Sequence, residues 1–161
     1  MSRQLRIIPD KCTGCIQCEL ACGWVQTGAF QPSRSLIRVH LFDDQASYAP
    51  YTCFQCDEAW CMNACPVNAI AISPAAAKAV IPDLCVGCAL CVIACPYGTV
   101  WYRPDTHTAV KCDLCAGAPA CVAACPTGAL EYVETPAHDW LGPWATSLNR
   151  THAGARAGGS S

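Results

Sequence analysis

The stretch Cys85-Val-Gly-Cys88-Ala-Leu-Cys91-Val-Ile-Ala-Cys95-Pro96 places four cysteines within eleven residues and ends in proline. This C-x2-C-x2-C-x3-C-P spacing is a bacterial signature for iron–sulfur clusters, in which the fourth cysteine ligates the other cluster of a pair. Three cysteines at this spacing wrap a tight turn around one cubane, and the three-residue step turns the fourth away on the following helix. The stretch therefore predicts a [4Fe–4S] site.

Three further quartets account for every other one of the sixteen cysteines in this chain of 161 residues. They are Cys12-x2-Cys15-x2-Cys18-x3-Cys22, Cys53-x2-Cys56-x4-Cys61-x3-Cys65 and Cys112-x2-Cys115-x5-Cys121-x3-Cys125. We expect all sixteen to ligate four [4Fe–4S] clusters, which leaves no thiol as a nucleophile or redox switch. Proline follows the second, third and fourth quartets, but Gly23 follows the first. We therefore expect the chain to leave the first helix differently.

An internal repeat relates the quartets. Residues 7–15, Ile-Ile-Pro-Asp-Lys-Cys-Thr-Gly-Cys, match residues 80–88, Val-Ile-Pro-Asp-Leu-Cys-Val-Gly-Cys. Gly14 and Gly87 take the same place in this repeat, which indicates a turn that needs a positive φ. The apolar segments after quartets two, three and four (residues 69–72, 99–102 and 129–133) are predicted strands. Residues 78–81 and 108–110 are the expected hairpin partners of the first two.

Residues 23–52 and residues 136–161 fall outside this pattern. Residues 1–135 are predicted to form a four-cluster body, into which residues 23–52 are inserted with a strand over 35–42. Residues 136–161 are predicted to be a tail for docking, ending in a flexible stretch. Trp140 and Trp144 in this tail either fold back onto the body or anchor an interface, since aromatic residues are typical anchors.

Composition and spacing exclude several other classes of protein. A disulfide scaffold needs export, but the N-terminus resembles no signal peptide, so a cytoplasmic location is expected. No run of 18 apolar residues is present, so no membrane anchor is expected. The net charge of −2 and the absence of a basic stripe argue against nucleic acid. Structural zinc sites pair knuckles about 15–20 residues apart, which compact quartets cannot supply. The scattered histidines (40, 107, 138 and 152) form no acid–base set, so no enzymatic site is expected.

Lys11 and Lys111 each precede the first cysteine of a quartet. The simpler interpretation is that both are surface residues that favour solubility. The alternative is that they offset the negative charge of a bound cluster and help to set its potential.

With these quartets, residues 5–135 resemble the four-cluster, ferredoxin-type iron–sulfur subunits of molybdenum- and tungsten-pterin oxidoreductases. That family includes the subunits of dimethyl sulfoxide reductase and formate dehydrogenase. Residues 110–115, Val-Lys-Cys-Asp-Leu-Cys, and residues 119–130 resemble the family's fourth quartet, although the spacer 116–120 is short. The resemblance implies an α+β fold of two ferredoxin-like halves with pseudo-twofold symmetry, short hairpins and helices, and a core dominated by clusters.

The resemblance also implies a crossed assignment of ligands, in which each cluster takes its fourth cysteine from another quartet. The implied sets are Cys12, Cys15, Cys18 and Cys125; Cys112, Cys115, Cys121 and Cys22; Cys53, Cys56, Cys61 and Cys95; and Cys85, Cys88, Cys91 and Cys65. The internal repeat fits neighbour pairing, of quartet one with two and three with four, equally well. From the residues alone, both assignments stay open.

The resemblance finally implies an electron-transfer subunit without a catalytic site of its own. Single electrons would pass through the clusters between a pterin-containing catalytic subunit, such as a tungsten aldehyde oxidoreductase, and a flavin, NAD-linked or other redox subunit. The alternatives are a free-standing polyferredoxin, a subunit of a hydrogenase or formate dehydrogenase complex, and a structural zinc protein. Two exposed ends would also permit head-to-tail self-association into an oligomer.

Overall fold

The computed structural model describes residues 2–42 and 47–135, so the predicted tail, with Trp140 and Trp144, lies outside the described residues. The strands are β1 (Ser2–Ile7), β2 (Ile37–Phe42), β3 (Ser47–Thr52), β4 (Ile70–Ile72), β5 (Lys78–Val80), β6 (Val100–Arg103), β7 (Thr108–Lys111) and β8 (Leu130–Thr135). The helices are α1 (Gln17–Thr27), α2 (Trp60–Asn63), α3 (Leu90–Ala94) and α4 (Ala120–Ala123). A small fold of mixed helices and strands is therefore confirmed.

The two predicted hairpins are present. β4 pairs antiparallel with β5, and β6 pairs antiparallel with β7. The turns that lead from each short helix into the next strand contain Asn68, Gly98 and Gly128, all with positive φ. Asparagine and glycine adopt this conformation at low cost, which explains the repeated Cys-Pro-x-Asn/Gly phrase.

The third predicted strand has a partner that the sequence analysis missed. β8 pairs antiparallel with β1, from Ser2 opposite Thr135 to Ile7 opposite Leu130. Arg6 donates hydrogen bonds to the Glu131 carboxylate across the same pair. The strand before quartet one is thus joined directly to the strand after quartet four.

The insertion forms a hairpin that packs on the first helix. β2 pairs antiparallel with β3, and the buried Glu19 of α1 accepts a hydrogen bond from the Val39 N–H at 2.6 Å. Gly23 allows the chain to pass close to α1, because a Cβ there would collide with the carbonyl oxygen of Gln31. Without a proline after Cys22, α1 continues to Thr27 and ends at Gly28. The predicted difference at Gly23 is confirmed.

The repeated Ile-Pro-Asp phrase builds the same local structure twice. Pro9–Lys11 and Pro82–Leu84 are single 3-10 turns, each directly before the first cysteine of a quartet. Gly14 and Gly87 follow with φ of 72° and 71°, as expected. The two loops are therefore built alike around their cysteines.

The described part of the chain has two small apolar cores, and each of them includes some of the cysteines. One contains Ile7, Ile37 and Leu130 together with Cys18, Cys22 and Cys121. The other contains Ile70, Val100 and Ala109 together with Cys91, with Cys61, Cys85 and Cys95 packed against it. Within residues 2–42 and 47–135, no helix has the length and apolar character needed to cross a membrane.

Candidate metal centres

All sixteen cysteines lie in the described part of the chain, and none of them forms a disulfide. Each helix carries the third cysteine of one quartet: Cys18 on α1, Cys61 on α2, Cys91 on α3 and Cys121 on α4. Only α1 also contains the fourth cysteine, so the prediction that the fourth cysteine lies on the helix is wrong for the other three quartets. Helix α1 packs against α4, and α2 packs against α3. The helix packing therefore brings quartet one to quartet four, and quartet two to quartet three.

Quartets two and three line two cavities. The first is lined by Cys53, Cys56 and Cys61 from quartet two and by Cys95 from quartet three. The second is lined by Cys85, Cys88 and Cys91 from quartet three and by Cys65 from quartet two. Each cavity thus combines three cysteines of one quartet with the last cysteine of the other.

Quartets one and four approach each other in the same crossed manner. Burial raises the pKa of Cys12, and the neighbouring Cys15 and Cys125 thiolates raise it further. Burial also raises the pKa of Cys115 and of Cys121, and the Cys22 thiolate contributes in the same direction at both. The last cysteine of each quartet therefore lies near the leading cysteines of the other.

An electrostatic interaction links quartets two and four, which belong to different pairs. Burial raises the pKa of Cys112 to about 12, with the Cys53 thiolate as the next cause. Cys112 begins quartet four and Cys53 begins quartet two. The cysteines of these two quartets are therefore close enough to interact electrostatically.

Several sulfur atoms accept hydrogen bonds from nearby groups of the chain. Backbone N–H groups donate to Cys22 from Leu36 at 3.3 Å and to Cys65 from Ala69 at 3.2 Å. Burial alone would raise the pKa of Cys95, but hydrogen bonds from the Thr99 side chain and backbone, with those from Tyr97 and Gly98, outweigh it and lower that pKa. Hydrogen bonds from residues 127, 129 and 130 likewise lower the pKa of Cys125 against the effect of burial.

These cavities fit iron–sulfur clusters better than single ions. Among residues 2–42 and 47–135, no three His, Cys, Asp or Glu side chains converge closely enough to hold one metal ion. Each thiolate of a [4Fe–4S] cluster binds a different iron atom, so its ligands surround a volume instead of meeting at a point. Cysteine-lined cavities and N–H···S hydrogen bonds suit such a cluster, which would supply one-electron redox chemistry.

Three functional side chains were missed or misjudged from the sequence. The buried Glu19 and Gln55 were not singled out. Lys11 is an exposed side chain near Glu131, so the surface interpretation holds for it. For Lys111 that interpretation is wrong, because this residue is buried. The residues of β7 do not indicate this burial, because the apolar Val110 is less buried than Ala109 and Lys111, which share the other face of the strand.

The fold and the cysteine sites define an iron–sulfur protein of ferredoxin type. Residues 45–135 match the model of the 4Fe-4S dicluster domain family, and residues 9–28 match that of a 4Fe-4S binding domain. The chain belongs to the 4Fe-4S dicluster domain family.

Curated relatives of the chain include subunits of oxidoreductases. The chain is 40% identical, over 51% of its length and 47% of the relative's, to the aliphatic sulfonate oxidoreductase polyferredoxin-like subunit of Pyrococcus furiosus. It is 35% identical to a tetrathionate reductase subunit of Archaeoglobus fulgidus, over 49% of this chain and 38% of that one. The chain thus spans less than half the length of these relatives. Iron–sulfur electron transfer within oxidoreductase complexes is the role that these relatives support.

Among solved structures, the active site complex BamBC of benzoyl coenzyme A reductase with benzoyl-CoA contains a similar chain. The identity is 26% and the TM-score is 0.49, over 91% of this chain and 88% of that chain.

Proposed function

We propose that this chain relays single electrons through four [4Fe–4S] clusters and has no catalytic site of its own. The observation that carries the proposal is the pair of cavities in which three cysteines of one quartet meet the last cysteine of another. That arrangement is the one in which the C-x2-C-x2-C-x3-C signature serves two clusters. The chain's own contribution is to hold the thiolates, exclude water and donate hydrogen bonds to sulfur.

The proposed ligand sets follow the crossed assignment. Set 1 is Cys12, Cys15, Cys18 and Cys125; set 2 is Cys112, Cys115, Cys121 and Cys22; set 3 is Cys53, Cys56, Cys61 and Cys95; set 4 is Cys85, Cys88, Cys91 and Cys65. The two cavities support sets 3 and 4, and the mutual effects of Cys12, Cys125 and Cys22 support sets 1 and 2. We propose that residues 1–135 form two ferredoxin-like halves related by a pseudo-twofold axis, with sets 1 and 2 in one half.

The electrostatic effect of Cys53 on Cys112 supports the order 1, 2, 3, 4 along the row. Cys15 of set 1 and Cys88 of set 4 are both exposed. Clusters at the two ends would therefore lie near the surface, where redox partners can approach. Head-to-tail association through these ends stays a prediction, as does the cytoplasmic location.

The partners that we propose are a molybdenum- or tungsten-pterin catalytic subunit and a flavin or other redox subunit. The similarity to subunits of sulfonate oxidoreductase and tetrathionate reductase supports a place in a larger complex. The chain is also 37% identical, over 56% of its length, to a component of hydrogenase-4 of Escherichia coli. A complex of hydrogenase type is therefore the second candidate.

Anaerobic purification of the tagged chain from its own cells tests this proposal. We expect about 16 iron atoms and as many sulfides per chain, one cubane for each quartet, together with stoichiometric subunits, one of which contains pterin-bound molybdenum or tungsten. A nickel-containing partner would favour the second candidate, and isolation of the chain alone would favour a free polyferredoxin. Near-zero iron, or zinc in its place, would refute the central claim.

A further inference from the structure

Lys111 occupies an unusual place for a lysine. It ends β7 opposite Val100 of β6, and only 4% of its surface is exposed. Lysine is almost never fully buried unless its ammonium group is paired. The contacts of its Nζ atom therefore indicate what this residue does.

The Nζ atom of Lys111 donates hydrogen bonds to two backbone carbonyls. One belongs to Lys78, and the other, at 3.4 Å, belongs to Cys112. Carbonyl groups satisfy the donors of an ammonium ion but carry no net charge. These contacts therefore fix the position of the ammonium group without cancelling its positive charge.

Gln55 completes the polar bridge. Its Nε2 donates to the carbonyl of Cys112 at 2.6 Å, and its Oε1 accepts from the N–H of Lys78 at 2.7 Å. The Nζ of Lys78 in turn donates to the carbonyl of Gln55 at 3.2 Å. The bridge connects β5, the end of β7 and the start of quartet four, and it restrains Lys111 from both sides.

The bridge lies in the wall of the cavity that ligand set 3 surrounds. Lys78 and Lys111 line this cavity together with Cys53, Cys56, Cys61 and Cys95. The ammonium group of Lys111 therefore borders the site, where its charge acts on whatever the four cysteines hold.

We propose that Lys111, which forms no ion pair with a carboxylate among the described residues, holds its positive charge against the cluster of set 3 and raises the reduction potential of that cluster. The inference rests on the proposed function, since it assumes a cluster in this cavity. Reduction adds one electron to a cluster, and a fixed positive charge in surroundings of low dielectric constant stabilises that added charge. Since set 3 lies at the junction of the two halves, Lys111 favours electron occupancy in the middle of the row.

The test is a redox titration of the full chain with its clusters, followed by electron paramagnetic resonance, for wild type and Lys111→Met. Methionine keeps the length of the side chain and removes the charge. We expect one of the one-electron steps to shift to lower potential by at least tenfold in its equilibrium constant, which corresponds to about 59 mV. Lys111→Arg should leave this step within a small fraction of that shift.

Lys11→Met is the matched control, because Lys11 also precedes the first cysteine of a quartet but its side chain is 51% exposed. We expect it to move no step. Unchanged steps in Lys111→Met, or an equal shift in Lys11→Met, would overturn the inference. Loss of thermal stability without a change in potential would also overturn it, because that result would show a purely structural role.

Lys78→Met keeps the inference testable if Lys111→Met does not assemble. Lys78 lines the same cavity, so the same step should shift downward, and no shift would count against a role for charge in this wall. Iron and sulfide counting of the wild type tests the proposed function separately. Fewer than four clusters there would refute the proposed function, whereas the inference depends on the difference between variant and wild type.

Discussion

Ile7 and Leu130 lie directly opposite each other at the inner end of the β1–β8 pair, and their exposed fractions are only 3% and 2%. One precedes quartet one and the other follows quartet four. Both belong to the apolar core that also contains Cys18, Cys22 and Cys121. This contact between distant parts of the chain therefore holds together the two quartets that we assign to sets 1 and 2.

Leu130→Ala should destabilise this half of the protein. Removing a buried leucine side chain costs about 2–5 kcal/mol. We expect a lower thermal midpoint and faster release of iron, measured by circular dichroism and by a chelator assay on the same sample. Ile72→Ala is the control, since Ile72 is 63% exposed, and it should change stability by no more than about 0.5 kcal/mol. Equal losses in the two variants would contradict the assignment of the core.

Double replacements distinguish crossed from neighbour pairing. If Cys125 completes set 1, Cys12→Ser with Cys125→Ser should disturb one cluster, whereas Cys112→Ser with Cys125→Ser should disturb two. Iron contents of about 12 and about 8 atoms per chain are then expected, since each [4Fe–4S] cluster holds four irons. Neighbour pairing would give about 8 iron atoms in both variants, because Cys125 would then complete the cluster of quartet three. The reverse order would indicate that Cys125 serves its own quartet. Spectroscopic signals of the remaining clusters show that the rest of the fold is retained.

Gly87→Ala should be more damaging than Gly98→Ala. Both glycines have a positive φ, so each alanine introduces about 1–2 kcal/mol of backbone strain. A Cβ at Gly87 would in addition collide with the carbonyl oxygen of His107, whereas one at Gly98 meets nothing within 4 Å. We expect loss of the set 4 cluster only in Gly87→Ala, measured by iron content and resonance signals. Similar behaviour of the two variants would show that strain alone matters.

Cluster assembly should become more favourable as pH rises, and this trend should continue above pH 9. Burial is the main cause that raises the pKa of Cys56 to about 11 and those of Cys18 and Cys112 to about 12, from the ordinary 9.0. Iron binds the thiolate, so each of these ligands releases a proton until the pH exceeds its pKa. The affinity then rises about tenfold per pH unit for each proton released. Competition against an iron chelator at several pH values measures this, and a plateau at pH 9 would contradict the burial of these thiols.

The structure confirms several predictions of local structure that were made from the sequence. The β4–β5 and β6–β7 hairpins were predicted, and so was the positive φ of Gly14 and Gly87. Each of these features depends on residues close together in the chain. Gly23 in place of proline indicated only that the chain leaves the first helix differently, and the length of α1 was not predicted. The surface interpretation of Lys111 was wrong because its ammonium group contacts the Lys78 carbonyl of β5, which lies 33 residues earlier in the chain.

The sequence by itself determined the chemistry of this protein, since sixteen cysteines at these spacings indicate iron–sulfur clusters whatever the fold around them. It left open which quartets share ligands, because the internal repeat suits neighbour pairing as well as crossed pairing. Only the tertiary structure brings β1 to β8, α1 to α4 and α2 to α3. The physical reason is that these contacts join residues far apart in the chain, whose packing no local pattern of residues specifies.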